Sequence, residues 1–358
     1  FSDLTAHANG SVMLKMGETT ILVTAVMSSR PASASYFPLS VEFEEKFYAA
    51  GALLGSRFNK REGRPSDEAV LSARVIDRTI RPLFNQSIRQ DIQVVVSVLA
   101  LGDTDPDVLG IIGASLALGV SDIPWRGPIG AVRIGRRKTD GEIFVNPGYT
   151  DRADDSLDLE ILACGGNGTI NMIETQANEA READIFAILT AATSLHGQVE
   201  QWQNNIINEI GKTKKEMLTP AYTPEIANLY NAHFKQKLFD TVFSGKAGKG
   251  HIYDCKKEFL TFAKEADLDE QIADSFFEEQ IDETLHEGAL MHNKRADGRD
   301  FDTVRPLYAQ AGGISPVLHG SGIFYRGGTH IFSALTLGGP EAAQQLETIE
   351  DRDSKKRF

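Results

Sequence analysis

Two short stretches 310 residues apart constrain most strongly what this chain can fold into. "GSVMLKMGETTI" (10–21) aligns without gaps on "GSGIFYRGGTHI" (320–331), and Gly, Ser, Gly, Thr and Ile match at five of the twelve positions. Both run on into apolar residues. The first reads as two strands around a turn at Gly17. Residues 215–290, between the two stretches, are acidic, rich in Lys and Phe, and helical in period. Phe234, Phe239, Phe243, Phe259, Phe262, Phe276 and Phe277 suit a small bundle of amphipathic helices. A repeat interrupted by such a region implies a duplicated domain. The expected organisation is a first copy over 1–200, an all-α region over 201–290, and the start of a second copy over 291–358.

The first copy reads as mixed α/β. "LSVEFEEKF" (39–47) has strand character, and "IQVVVSVLAL" (92–101) is apolar enough for a buried central strand. "DVLGIIGASLALGVS" (107–121) is long and full of small residues, which predicts a tightly packed helix. "IGAVRIG", "EIFVN", "LDLEILAC" and "TINMIET" predict further strands, and the helical period begins near Gln176. Two cysteines, Cys164 and Cys255, do not make a disulfide scaffold and point to a reducing compartment. There is no apolar run of 18 residues and no basic leader, so neither a membrane span nor secretion is expected.

The chain carries a net charge of −13, yet residues 56–84 hold Arg57, Lys60, Arg61, Arg64, Arg74, Arg78 and Arg81. Ser66 is a good N-cap, Asp67 and Glu68 suit a first turn, and Pro82 ends the segment, so a helix is predicted over 67–81. Arg74, Arg78 and Arg81 would then fall within about 60° around its axis. Two readings stand for them: ion pairs to nearby carboxylates, such as Asp77 with Arg81, or contact with a polyanion. The preceding loop has one aromatic, Phe58, among several cations and a single Glu62. That mixture suits single-stranded nucleic acid, whose bases stack on aromatic rings while cations follow the phosphates.

"EKFYAAG" (45–51), "KREGRPS" (60–66) and "ARVIDRTIRPLF" (73–84) resemble, in order and spacing, the first RNase PH-like core of bacterial and organellar polynucleotide phosphorylases. The resemblance covers essentially the whole chain. The helical region is similar to that family's all-α domain, and "KRADGRDFDTVRPL" (294–307) with "HGSGIFYRGGT" (319–329) is similar to the start of its second core. The implied fold class is α/β (α+β): an RNase PH-like core of the ribosomal protein S5 domain 2-like type, an all-α domain, and a truncated second core. The implied reaction is 3′-to-5′ phosphorolysis of RNA by inorganic phosphate, releasing nucleoside diphosphates, with the reverse reaction adding 3′ tails.

The resemblance further implies a homotrimeric ring threaded by single-stranded RNA, a Mg²⁺ or Mn²⁺ ion, a bacterial cytoplasmic or alternatively organellar setting, and RNA-degradosome proteins as possible partners. Phe58, Asn59, Lys60, Arg61 and Arg64 would form the channel constriction. Arg78 is the helical arginine expected to turn toward substrate, and Arg295, Arg299 and Arg326 are further RNA contacts. The phosphate-binding serines, the metal carboxylates and the KH and S1 domains would lie beyond Phe358, so no catalytic or metal residue is assigned here.

Three features depart from the family pattern. Asn59 stands where a second aromatic is usual, which weakens stacking by roughly 1–3 kcal/mol per lost contact. No Arg precedes His319 by two or three residues, and the usual Gly-Glu-Thr-Gln turn is Gly327-Gly328-Thr329-His330. A noncatalytic RNA-channel scaffold and a single-core RNase PH or exosome-type subunit are the alternatives; the helical insertion speaks against the second.

Other residues read more plainly. His319 is a loop histidine, Asp151, Asp154 and Asp155 a solvated turn, "SGKAGKGH" (244–251) a connector, and Cys164 a small buried hydrophobe.

Overall fold

Strand residues on either side of Gly17 form an antiparallel hairpin, β1 (Gly10–Met16) and β2 (Thr19–Pro31), in register from Gly10↔Ala25 to Met16↔Thr19. Gly17 opens the two-residue loop at φ +59°, a conformation that disfavours a Cβ. The computed structural model describes residues 5–32, 36–53, 64–152, 156–216, 222–246, 248–350 and 352–356. They divide into two compact units, Phe1–Met217 with Gln344–Phe358, and Leu218–Ala343.

In the first unit the chain continues through β3 (Leu39–Glu44), α1 (Asp67–Ile80), β4 (Gln90–Ala100) and α2 (Pro106–Val120). Strand character stops at Glu44, short of Phe47, because Phe47–Ala50 winds into a 3-10 turn closed by Gly51 at φ +66°. The first sheet has the order β1-β2-β4-β3; β3 runs parallel to β4 and the other pairs are antiparallel. β4 is interior, as its apolar run predicts, and buries Ile92, Val94, Val96 and Val98 at alternate positions.

α2 packs on this sheet and on β5 (Gly130–Arg137). Its small residues make that possible, since a Cβ on Gly113 would lie 2.6 Å from Val23 Cγ2. Then come β6 (Ile143–Val145), α3 (Tyr149–Arg152), β7 (Leu157–Gly166), β8 (Thr169–Ala177) and α4 (Glu182–Ile210). They form an antiparallel sheet in the order β6-β5-β7-β8, with α4 against β5 and β7. The helical period starts later than Gln176, which still pairs with Glu160 in the sheet. α4 runs unbroken through residue 200 and buries Ile188, Ala192, His196 and Gln203.

In the second unit, α5 (Pro224–His233), α6 (Lys235–Val242), α7 (Gly250–Glu265) and α8 (Glu270–His292) enclose an aromatic core. Tyr230, Phe234, Phe259 and Phe277 meet mostly edge to face at centroid distances of 5.0–6.5 Å. β9 (Leu307–Ala311), β10 (Gly320–Arg326) and β11 (Thr329–Leu335) follow as a sheet in the order β11-β10-β9. The hairpin of β10 and β11 repeats the first one: Gly320↔Leu335 to Arg326↔Thr329, each number 310 higher, with Gly327 at φ +58°. Phe324, Ile331 and Leu335 are exposed, whereas their counterparts Leu14, Ile21 and Ala25 are buried.

The chain closes with β12 (Gln344–Glu347) and β13 (Arg352–Lys356), which belong to the first unit.

Candidate nucleic-acid interface

α1 begins as its cap signals predict. Ser66 Oγ accepts the Ala69 N–H at 3.0 Å and donates to Glu45 Oε2 at 2.5 Å, which ties the helix start to the end of β3. Burial pushes the Glu45 carboxyl above its ordinary range. Between β3 and α1 lies a groove of about 900 Å³, lined on the helix side by Arg64, Arg74 and Arg78 and on the strand side by Glu42, Glu44, Glu45 and Lys46.

The charges in this groove are unequally committed. Asp77 holds Arg81 through two contacts of 2.6 and 2.8 Å, and Arg81 also donates to the Phe37 and Leu39 carbonyls. Glu42 accepts from Gln93 at 2.8 Å, and Glu44 from Ser97 at 2.8 Å and Lys46 at 3.2 Å. Arg78 reaches Glu174 at 3.2 Å with both side chains more than half exposed, a pair worth at most about 1 kcal/mol. Arg64 and Arg74 are exposed and form no ion pair among the described residues. The helical arginines therefore divide: Arg81 braces the fold, while Arg74 and Arg78 border the groove. Spacing along a helix leaves both readings open for Arg74, since it does not reveal which carboxylates another element has already engaged.

The other expected contacts fall elsewhere. Phe58, Asn59, Lys60 and Arg61 lie outside the described residues. In the second unit Arg295, Arg299 and Arg305 gather around Asp297, with Arg299 at 2.8 Å and Arg305 at 3.2 Å. Arg299 also donates to the Thr303 carbonyl. Arg326 is exposed at the end of β10, beside the hairpin turn. His319 serves the fold, because its Nδ1 accepts the Leu337 N–H at 2.9 Å. Asp151 accepts from the Gly148 N–H at 3.2 Å. Cys164 is fully buried, and burial pushes its thiol up to about 12, so it is no nucleophile.

Sequence reading missed a buried ionic network. Arg133 on β5 contacts Asp105 at 2.8 Å, Asp107 at 3.7 Å and Glu160 at 2.6 Å; Arg152 adds contacts to Asp105 at 2.6 Å and Glu160 at 2.9 Å. Burial, and then the neighbouring Asp105 charge, push the Asp107 carboxyl up to about 7. Tyr149 donates to Glu350 at 2.6 Å beside this network, and burial raises the Glu350 carboxyl as well. The Asp-Pro-Asp at the start of α2 was the only local sign of it.

These carboxylates do not fit a divalent cation, because arginines already occupy their inner side. Among the described residues no group of three or more His, Cys, Asp or Glu has a metal-holding arrangement. Nor does any described helix have the length and apolarity to cross a membrane.

Comparison with known proteins fits this architecture. Residues 2–124 match the model of the 3′ exoribonuclease (RNase PH) family, domain 1. More particularly, nearly its whole length is similar to polyribonucleotide nucleotidyltransferases. The one from Staphylococcus saprophyticus is 36% identical over 99% of this chain and 51% of its own length. That of Caldicellulosiruptor saccharolyticus is 37% identical over 98% and 50%, and that of a Roseiflexus species 34% over 98% and 47%. The resemblance drawn from residues 45–84 and 294–329 is thus borne out. The chain spans about half the length of the curated relatives it matches.

Proposed function

We propose that this chain is the RNA-guiding half of a phosphorolytic 3′-to-5′ exoribonuclease. The whole protein would cleave RNA with inorganic phosphate, release nucleoside diphosphates, and add 3′ tails in reverse. The observation that carries the reading is the groove beside α1, where Arg64, Arg74 and Arg78 stand on one wall while the facing carboxylates have partners of their own. In sequence, Arg57, Phe58, Lys60 and Arg61 lead directly into that wall, and this supports extending the guiding surface to Asn59 and its neighbours. Similarity to polyribonucleotide nucleotidyltransferases over 98–99% of the chain supports the reaction class.

The chemistry asks little of side-chain nucleophiles. Phosphate must be held in line with the terminal phosphodiester, and its charge must be offset. On this reading the residues that do so, together with a Mg²⁺ or Mn²⁺ ion, belong to the rest of a second core. The bare apolar face of β10 and β11 supports the existence of such a core. This chain then contributes electrostatic steering and alignment of the strand. The same reading takes the protein as a cytoplasmic bacterial homotrimer, with Arg295, Arg299 and Arg326 as secondary RNA contacts.

The test is Arg64→Glu with Arg74→Glu and Arg78→Glu in the full-length ring, read by single-stranded RNA binding across a salt series. Each lost phosphate contact flattens the slope of log K against log salt by about 0.7. A slope identical to wild type would overturn the assignment. Separately, this chain alone should leave oligo(A) intact in phosphate and Mg²⁺, and degradation near the full-length rate would refute that division of labour.

A further inference from the structure

α2 ends without a cation of its own. Its last turn has no basic residue, and the carbonyls of Leu118, Gly119 and Val120 have no helical N–H four residues on to pair with. Their partners come from a segment 93–96 residues further along. Lys214 Nζ donates to the Leu118, Gly119 and Ser121 carbonyls at 2.6, 2.9 and 2.8 Å, so each ammonium proton has a carbonyl of its own. A cation there also suits the negative end of the helix dipole. Burial pulls the Lys214 amine down to about 8, which leaves it charged at neutral pH but held against a desolvation cost.

The residues around Lys214 follow the same surface. The Gly211 N–H closes α4 on the Ile207 carbonyl at 2.8 Å, and a Cβ on Gly211 would lie 2.3 Å from that oxygen. The chain then runs alongside the end of α2. The Lys212 N–H donates to the Val120 carbonyl at 3.0 Å, and the Lys215 N–H to the Asp122 carbonyl at 2.8 Å. Lys212 Nζ donates to the Asn9 carbonyl at 2.5 Å, and Lys215 Nζ pairs with Asp122 at 3.0 Å. Lys214 is half-buried, whereas its neighbours from Gly211 to Glu216 are exposed. The segment reads Gly-Lys-Thr-Lys-Lys-Glu, so polar contacts fasten it and no apolar side chain anchors it.

We propose that residues 211–216 form a releasable strap, latched by the Lys214 ammonium in the carbonyl seat at the C-terminal end of α2. The strap leads out of the first unit toward the second, whose described residues begin at Tyr222. Release hands residues 211–216 to the connection between the units, at most about 20 Å of extended chain.

Hydrogen exchange in the wild-type chain gives the first test. The Lys212 and Lys215 amides should exchange through a local opening, at a rate that does not change with urea below the unfolding range. A urea dependence equal to that of the Val96 amide in β4 would show that the segment opens only with the whole fold, and would overturn the proposal. Limited proteolysis, read site by site by mass spectrometry, gives the second. Lys214→Met should speed tryptic cleavage after Lys212 and Lys215 by about tenfold or more. Lys214→Arg keeps the charge, but a planar guanidinium cannot aim three donors at carbonyls gathered around one point. It should be cut nearly as fast as Lys214→Met. Cleavage of either variant at the wild-type rate would overturn the latch.

Discussion

Replacing Arg133 by Met tests the ionic network at the foot of α2. Arg133 is 8% exposed and contacts Asp105, Asp107 and Glu160. Removing one partner of a buried pair usually costs about 3–5 kcal/mol, because the other charges remain desolvated. Arg152 still holds Asp105 and Glu160, which places the expected loss near the lower bound, about 3 kcal/mol. The chain has two tryptophans, Trp125 and Trp202, both in the first unit, so fluorescence-detected urea unfolding reports that unit.

The loss should also depend on pH, with a definite sign. The Asp107 carboxyl is near 7 in the folded protein, and losing Arg133 moves it higher still. Above pH 7 the folded variant then keeps a proton that folded wild type releases. Its unfolding free energy falls with pH relative to wild type, by up to about 1.4 kcal/mol per pH unit for one proton. The destabilisation should therefore be greater at pH 8 than at pH 6. A loss below about 1 kcal/mol, or equal losses at the two pH values, would refute the account of Arg133 as the counter-charge of this buried network.

Ser66→Ala removes the α1 cap and its tie to Glu45, and urea midpoints should show a loss of about 1 kcal/mol. Gly10→Ala would place a Cβ 2.2 Å from the Ala117 carbonyl oxygen and 2.8 Å from Ser121 Cβ, so unfolding by fluorescence should show a loss of about 1–3 kcal/mol or more. His319→Ala should accelerate exchange of the Leu337 amide, and His319→Asn, which copies the acceptor at Asn9, should restore much of the protection.

Much of the fold was legible because it rests on local rules. The Gly17 hairpin, the Ser66 cap and the end of α1 near Pro82 each depend on residues within a few positions of one another. β4 and α2 were legible for a related reason: Val94, Val96 and Val98 alternate, and small residues recur where the helix must approach β2 closely. The candidate site was only partly legible. Asp77 with Arg81 is four residues apart on one helix and could be foreseen, whereas Arg78 with Glu174 spans 96 residues.

What the amino-acid sequence by itself determined was the inventory: a duplicated hairpin, a helical region between the copies, and a run of seven cations in an acidic chain. Periodicity, turn glycines and caps act over one or two turns of backbone, so they can be read in line. Only the tertiary structure decided that, of the described cations, Arg81 is spent on the fold while Arg64, Arg74 and Arg78 border a groove. It also decided that Asp105, Asp107 and Glu160 meet Arg133 in the interior. Ionic and hydrogen-bond energies depend on distance and solvent exposure, and both are properties of packing between elements far apart in the chain.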